Sequence, residues 1–182
     1  LPDRFFKSFL DWASDRSQPG VMDVGHLCGT PRDQGRRGTC LAHAACRSME
    51  SLLAIDGSPG VDLAEEDFYY RCKSIDGVSK QSGTTLAASE EVALETGFCE
   101  ERYWPYRPHR DPNRDEGHGP PPESAERAPR LRPAEVINLP SWMDPEDRLL
   151  LLRWFLAERH IVPILVIHCF PSMAAARFSG NV

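Results

Sequence analysis

The sequence predicts an α+β fold. Apolar and small residues recur at helical spacing over residues 41–55, and further helical patterns cover residues 63–73 and 84–95. These three segments follow one another along the chain. Two apolar, β-branched stretches at residues 135–139 and 161–167 have strand composition.

The chain of 182 residues suits one domain or two small lobes around a cleft, and its 41% apolar content supports a core. A net charge of −6 leaves no basic excess to neutralise phosphates, so nucleic acid is not an expected partner. No apolar run approaches the length of a membrane span. No charged segment followed by an apolar one opens the chain, so no signal peptide is visible. The first residue is Leu rather than Met, as in a processed or excised piece. The six cysteines form no CxxC pair and no zinc spacing, so no structural metal is expected. Reduced cysteines are expected, which fits the cytoplasm.

Residues 1–18 carry Phe5, Phe6, Phe9, Leu10 and Trp12 at spacings of three and four. They predict a short amphipathic helix that Gln18-Pro19-Gly20 ends. Residues 1–24 form an extension packed on the body; the alternative is the remnant of an inhibitory pro-segment. An extended segment follows at residues 21–32.

The most informative stretch is Gln34-Gly35-Arg36-Arg37-Gly38-Thr39-Cys40-Leu41-Ala42-His43-Ala44. It is turn-rich up to Cys40 and helical after it, with Leu41, Ala44, Ala45, Met49, Leu52 and Leu53 on one face. The thiol therefore lies in a first turn, where unpaired N–H groups and the helix dipole favour a thiolate. Gln34, six residues upstream, brings an amide donor towards the same space. A nucleophile flanked by amide donors is what acyl transfer through a tetrahedral oxyanion requires.

Asp56-Gly57-Ser58-Pro59-Gly60 is a loop, and Asp62 is placed to cap the helix over residues 63–73. That helix carries Glu65, Glu66 and Asp67 early, as its dipole prefers. Thr84 or Thr85 caps the next helix and Gly97 stops it. Trp104-Pro105-Tyr106 reads as a rigid turn with buried rings. Residues 107–133 hold seven prolines and read as a long mobile loop. Asp144-Pro145-Glu146-Asp147 combines cap, proline and acids at the start of a helix ending near Arg159-His160.

The stretch from Gln34 to Cys40 resembles the active-site segment of papain-like cysteine peptidases, in which a Gln-Gly pair precedes Gly-Ser-Cys-Trp-Ala. Here the signature reads Arg37-Gly38-Thr39-Cys40-Leu41; Arg37 stands where the family usually has a disulfide-bonded cysteine, and Leu41 where it has an aromatic residue. Leu63-Ala64-Glu65-Glu66 and Ser82-Gly83-Thr84-Thr85, followed by Gly97-Phe98-Cys99-Glu100-Glu101 and Trp104-Pro105-Tyr106, resemble later segments of the family's bacterial branch. The resemblance implies a two-lobe α+β fold: a helical lobe over 30–106, the loop at 107–133, and a partial β-lobe over 134–182, within a peptidase domain at 25–182. It implies Cys40 as nucleophile and Gln34 as oxyanion donor, and Gly38, Ser82 and Gly83 as cleft residues that meet an extended peptide. A peptide or protein substrate and no cofactor are expected. The alternative is a non-catalytic module of this fold that binds extended peptides.

The family's histidine and asparagine fall about 130–150 residues after the cysteine. No histidine follows His168, so both are expected beyond Val182, with the fragment inactive. His168 reads as a strand-end residue, His43 as packing beside Cys40, and His160 as a helix C-terminal residue; His26, His109 and His118 fall in loops or the leading segment.

Overall fold

Residues Cys40–Ile55 form the central helix, α2, with the start and end that the periodicity predicts. The computed structural model describes residues 3–14, 25–27, 29–78, 81–108, 120–139 and 142–158. Before α2 lie α1 (Asp3–Ser14) and a 3-10 turn at Gly25–Leu27. After it come α3 (Glu65–Ile75), α4 (Leu86–Glu91), a π turn at Val92–Thr96 and a 3-10 turn at Glu101–Tyr103. The single-turn α5 (Glu123–Glu126) and α6 (Pro145–Glu158) complete the order.

The core lies where α2, α3 and α4 meet. Ala42, Ala45, Cys46 and Met49 of α2 close on Phe68, Tyr69 and Cys72 of α3 and on Ala88 of α4. The buried stripe of α2 therefore runs through Ala42 and Cys46, whereas Ala44, Leu52 and Leu53 are only partly covered. Small side chains at Ala42 and Ala45 let the helices approach closely. Phe68 stacks on Phe98 with ring centroids 4.5 Å apart and planes 3° from parallel.

Asp62 does not cap α3. The helix starts two residues later than expected, at Glu65, with Ala64 at its N-cap and no side-chain cap. Asp62 pairs instead with Arg32, a stronger partner than a backbone N–H. Leu63 is drawn into the core: its N–H donates to the Glu50 carboxylate at 2.8 Å, and it forms an isolated bridge with Glu100. Thr85 does cap α4, its hydroxyl accepting from the Ala88 N–H at 3.1 Å. Gly97 ends the π turn at φ 78°, donating to the Val92 carbonyl at 2.7 Å.

The second part of the proline-rich stretch is packed rather than loose. Ala125 and Ala128 are buried, Leu131 exchanges backbone hydrogen bonds with Phe98, and Arg130 pairs with Asp67. Its prolines hold an ordered path that two buried anchors secure. Residues 109–119 lie outside the described set.

Among the described residues there is no strand ladder, only the isolated bridges Leu63–Glu100 and Phe98–Leu131. Residues 135–139 are not a strand. Val136 packs on the core, and Asn138 donates to Glu90 at 2.6 Å, so this segment is tied by side chains and not by a neighbouring strand. The strand expected at 161–167, and with it most of the expected β-lobe, lies outside the described residues.

Helix α6 starts as its sequence predicts: Asp144 accepts the Glu146 N–H at 2.8 Å and Pro145 takes the first position. Its Leu151, Trp154 and Phe155 form a second apolar cluster that Phe9 and Trp12 of α1 cover, with Phe9 edge-on to Trp154 at 5.7 Å. The N-terminal helix thus packs on α6. No helix among the described residues is long and apolar enough to cross a membrane.

Candidate active site

Cys40 is the first residue of α2 and is exposed. Cys46, Cys72 and Cys99 are free and buried. Burial raises all three thiols, Cys46 well above its ordinary value and Cys72 and Cys99 to about 12. Among these four cysteines only Cys40 meets solvent, and it does so at a helix start.

The residue before it, Thr39, sits at the N-cap yet its side chain makes no capping bond. Its hydroxyl lies 2.6 Å from the Tyr106 hydroxyl, which donates to the Gln34 carbonyl at 2.8 Å. A phenol has one proton, and the carbonyl can only accept, so the Thr39 hydroxyl is the donor to Tyr106 Oη. Thr39 thereby gives the first-turn N–H groups of α2, beside the thiol, no side-chain cap.

Gln34 lies on the same loop. Its Nε2 donates to the Arg37 carbonyl at 2.9 Å, which closes the segment between Gln34 and Cys40 into a turn. Asp33 accepts the Gly35 N–H at 2.8 Å and steadies the approach. Arg37 is buried, and its guanidinium makes a two-pronged bond to Glu66, with Nη2 to Oε1 at 2.9 Å and Nη1 to Oε2. Nη1 also donates to the Arg107 carbonyl at 2.9 Å, and the guanidinium lies over the Tyr69 and Tyr106 rings at 5.6 and 5.1 Å.

Glu66 belongs to a run of three acids at the start of α3, and each holds a different segment. Glu65 pairs with Arg32 ahead of the loop, Glu66 with Arg37 within it, and Asp67 with Arg130 after the proline-rich stretch. These acids read in the sequence as dipole partners on a helix end; in the structure all three are buried. Burial raises the Glu65 carboxyl, against the opposing pull of Arg32.

The loop that carries Ser82 and Gly83 meets the Gln34–Cys40 segment at Gly38. A Cβ on Gly38 would lie 2.3 Å from Ser82 Oγ and 2.5 Å from the Gly83 nitrogen, so only glycine admits this approach. Gly83 itself has φ 90°. Its N–H donates to the Tyr69 hydroxyl at 3.2 Å and its carbonyl accepts from Lys73 Nζ at 2.9 Å. Lys73 also donates to the Val78 and Gln81 carbonyls and pairs with Asp76 at 2.8 Å. Gln34 and Gly38 thus lie on the loop that enters α2 at Cys40, with Ser82 and Gly83 against it at Gly38.

His43 packs as expected. Its Nδ1 is 3.0 Å from the Thr39 carbonyl, which makes Nδ1 the protonated nitrogen, and its ring sits edge-on to Tyr106 at 4.7 Å. Burial lowers its pKa, and Arg32, Arg37 and Arg47 add to the effect. His109, His118, His160 and His168 lie outside the described residues. Among those described, no three His, Cys, Asp or Glu side chains gather as a metal site.

Tyr106, Thr39 and Glu66 are residues of this site that the sequence reading passed over. Tyr106 read as a buried ring of a rigid turn, yet it is only part-buried, and its hydroxyl and face both serve the loop. The usable signal was the phenol itself, since a tyrosine with a covered ring needs a partner for its hydroxyl. Glu101 secures it from the other side: Oε1 accepts the Tyr106 N–H at 2.6 Å, while Oε2 is buried with no partner among the described residues. Burial, with Glu65 and Asp62 nearby, pushes the Glu101 carboxyl up to about 7.

No protein-family profile matches the sequence. No curated protein matches it. Among solved structures the chain is similar to xylellain, a cysteine protease from Xylella fastidiosa, with 23% identity and a TM-score of 0.47 over 66% of this chain and 53% of that one. It is also similar to the cysteine protease and lectin-like domains of Cwp84, a surface layer associated protein of Clostridium difficile, with 21% identity and a TM-score of 0.47 over 64% of this chain and 26% of that one. A clostridial Cwp84 variant after propeptide cleavage gives the same identity and TM-score over 60% of this chain and 27% of that one. The chain therefore spans about a quarter of the Cwp84 chains and about half of the xylellain chain.

Proposed function

We propose that this chain carries the nucleophile-bearing part of a papain-like cysteine peptidase. The observation that carries the reading is the placement of Cys40: exposed, first in α2, with its N-cap hydroxyl turned away to Tyr106 and Gln34 folded back onto the same loop. In this reading the Cys40 thiolate attacks a peptide carbonyl. The carbonyl oxygen takes the electron pair, and the Cys40 N–H and the Gln34 amide stabilise it. Collapse expels the amine as its nitrogen takes up a proton, the part that the resemblance assigns to a histidine, and leaves a thioester on Cys40, which water then hydrolyses to the acid and the free thiol. Gly38, Ser82 and Gly83 line the adjoining cleft wall, where an extended peptide is held; the Gly83 carbonyl can accept a second bond beside that from Lys73.

An N-acyl amino-acid p-nitrophenyl ester tests this directly, since its leaving group needs no protonation. The expected result is stoichiometric release of p-nitrophenolate with the acyl group on the Cys40 peptide by mass spectrometry, and none of that adduct in Cys40→Ala. Acylation spread evenly over several cysteines would refute the assignment.

A further inference from the structure

We propose that the buried Arg37–Glu66 pair is the positioning device for the oxyanion side of the candidate site, acting through Gln34 and Tyr106. The proposal rests on the reading of Cys40 as nucleophile and Gln34 as oxyanion donor, and adds what holds that donor in place.

The geometry runs in one direction. Glu66 is fixed in the first turn of α3, in the core. It grips Arg37 with both oxygens, so the guanidinium plane cannot swivel. Arg37 offers its own carbonyl to Gln34 Nε2 at 2.9 Å, which sets where that amide sits. The same guanidinium covers the face of Tyr106, whose hydroxyl holds the Gln34 carbonyl at 2.8 Å. Gln34 is thus held at its side chain and at its backbone, and both restraints trace to Arg37. Both members of the pair are inaccessible to solvent, with side-chain exposures of 1% and 0%. Water therefore cannot substitute for either partner. An arginine in this place supplies what a lysine cannot, a planar fork that meets both carboxylate oxygens while stacking on two rings.

The test compares two reactions of Cys40 in the full chain, each followed on the Cys40 peptide by mass spectrometry. Iodoacetamide is attacked at a saturated carbon: the sulfur–carbon bond forms as iodide leaves, and no oxyanion arises. With p-nitrophenyl acetate the thiolate adds to the carbonyl, the oxygen takes the electron pair, and collapse releases p-nitrophenolate and leaves an acetyl thioester. The ratio of the second rate to the first reports the oxyanion donors and is insensitive to thiol exposure. Cys40→Ala sets the background and Gln34→Ala the full loss of one donor. Removal of one such donor costs about 10²–10³-fold in enzymes that use it. Arg37→Lys, Arg37→Met and Glu66→Gln are expected to lower the ratio about 10-fold or more towards the Gln34→Ala value, with iodoacetamide rates within about twofold of the parent.

A merely structural role would move both rates together, or neither. An unchanged ratio in folded Arg37→Lys and Glu66→Gln, beside a reduced one in Gln34→Ala, overturns the positioning role alone. An unchanged ratio in Gln34→Ala overturns the oxyanion reading and this proposal with it. Glu66→Gln keeps volume and an acceptor oxygen, and decides the matter if Arg37→Met does not fold by circular dichroism.

Discussion

Gly38→Ala tests the contact between the two loops that build the candidate site. The added methyl would fall 2.3 Å from Ser82 Oγ, 2.5 Å from the Gly83 nitrogen and 3.1 Å from the Gly83 Cα. Ser82 can rotate its hydroxyl aside at small cost, because it is exposed. The Gly83 nitrogen cannot move alone: its N–H is tied to Tyr69 at 3.2 Å, and its carbonyl to Lys73 at 2.9 Å. A carbon contact settles at about 3.5 Å, so the loops must part by about 1 Å. Overpacking of this kind costs about 1–3 kcal/mol, which lowers Tm by about 2–12 °C for a chain of this size. Urea and thermal unfolding followed by tryptophan fluorescence measure it. Adding Ser82→Ala should return little of the loss, because the backbone clash stays. A neutral Gly38→Ala, or full recovery in the double variant, would refute the reasoning.

Two other perturbations read the rest of the molecule. Phe68→Ala removes a fully buried ring from its stack on Phe98 and should cost about 3–5 kcal/mol in urea unfolding, since neighbours on three elements cannot collapse into the space; a loss under about 1 kcal/mol would show that the site relaxes freely. Glu101 governs a pH effect of definite sign. Burial holds its folded pKa at about 7, above the ordinary 4.5, so its contribution is fully present below about 4.5 and lost as pH rises through about 7. Part-buried His43 works the opposite way, its contribution being present above about 6.5 and lost as pH falls below that. Unfolding free energies of Glu101→Gln and the parent at pH 5 and pH 8 separate the two. The variant should gain on the parent at pH 8 relative to pH 5, and an equal difference at both would show that Glu101 ionises freely in the fold.

Much of the local structure was legible in the sequence because local rules govern it. The start of α2 at Cys40, the cap at Thr85, the stop at Gly97 and the Asp144-Pro145 start of α6 depend on residues within five positions of one another. That Gln34 and Gly38 lie on the loop leading into α2 at Cys40 was legible for the same reason. What decides the site beyond that spans long separations. Arg37 finds Glu66, Tyr106 finds Thr39 and Gln34, and Gly38 meets Ser82 and Gly83, pairs that no periodicity or spacing brings together. The acid run at residues 65–67 shows the difference most plainly. On the helix alone it satisfies the dipole and belongs in water. Folding buries it, because a buried carboxylate is tolerated once a guanidinium meets it, and three arginines from three segments do so. The proline-rich stretch reversed in the same way: composition called for a loose loop, while Arg130 on Asp67 and Leu131 on Phe98 tied its second part to the core. The sequence by itself determined where α2, α4 and α6 begin and which cysteine heads a helix; the tertiary structure decided where α3 begins, which charges are buried and what holds the loop around that cysteine, because those energies exist only once distant segments exclude water between them.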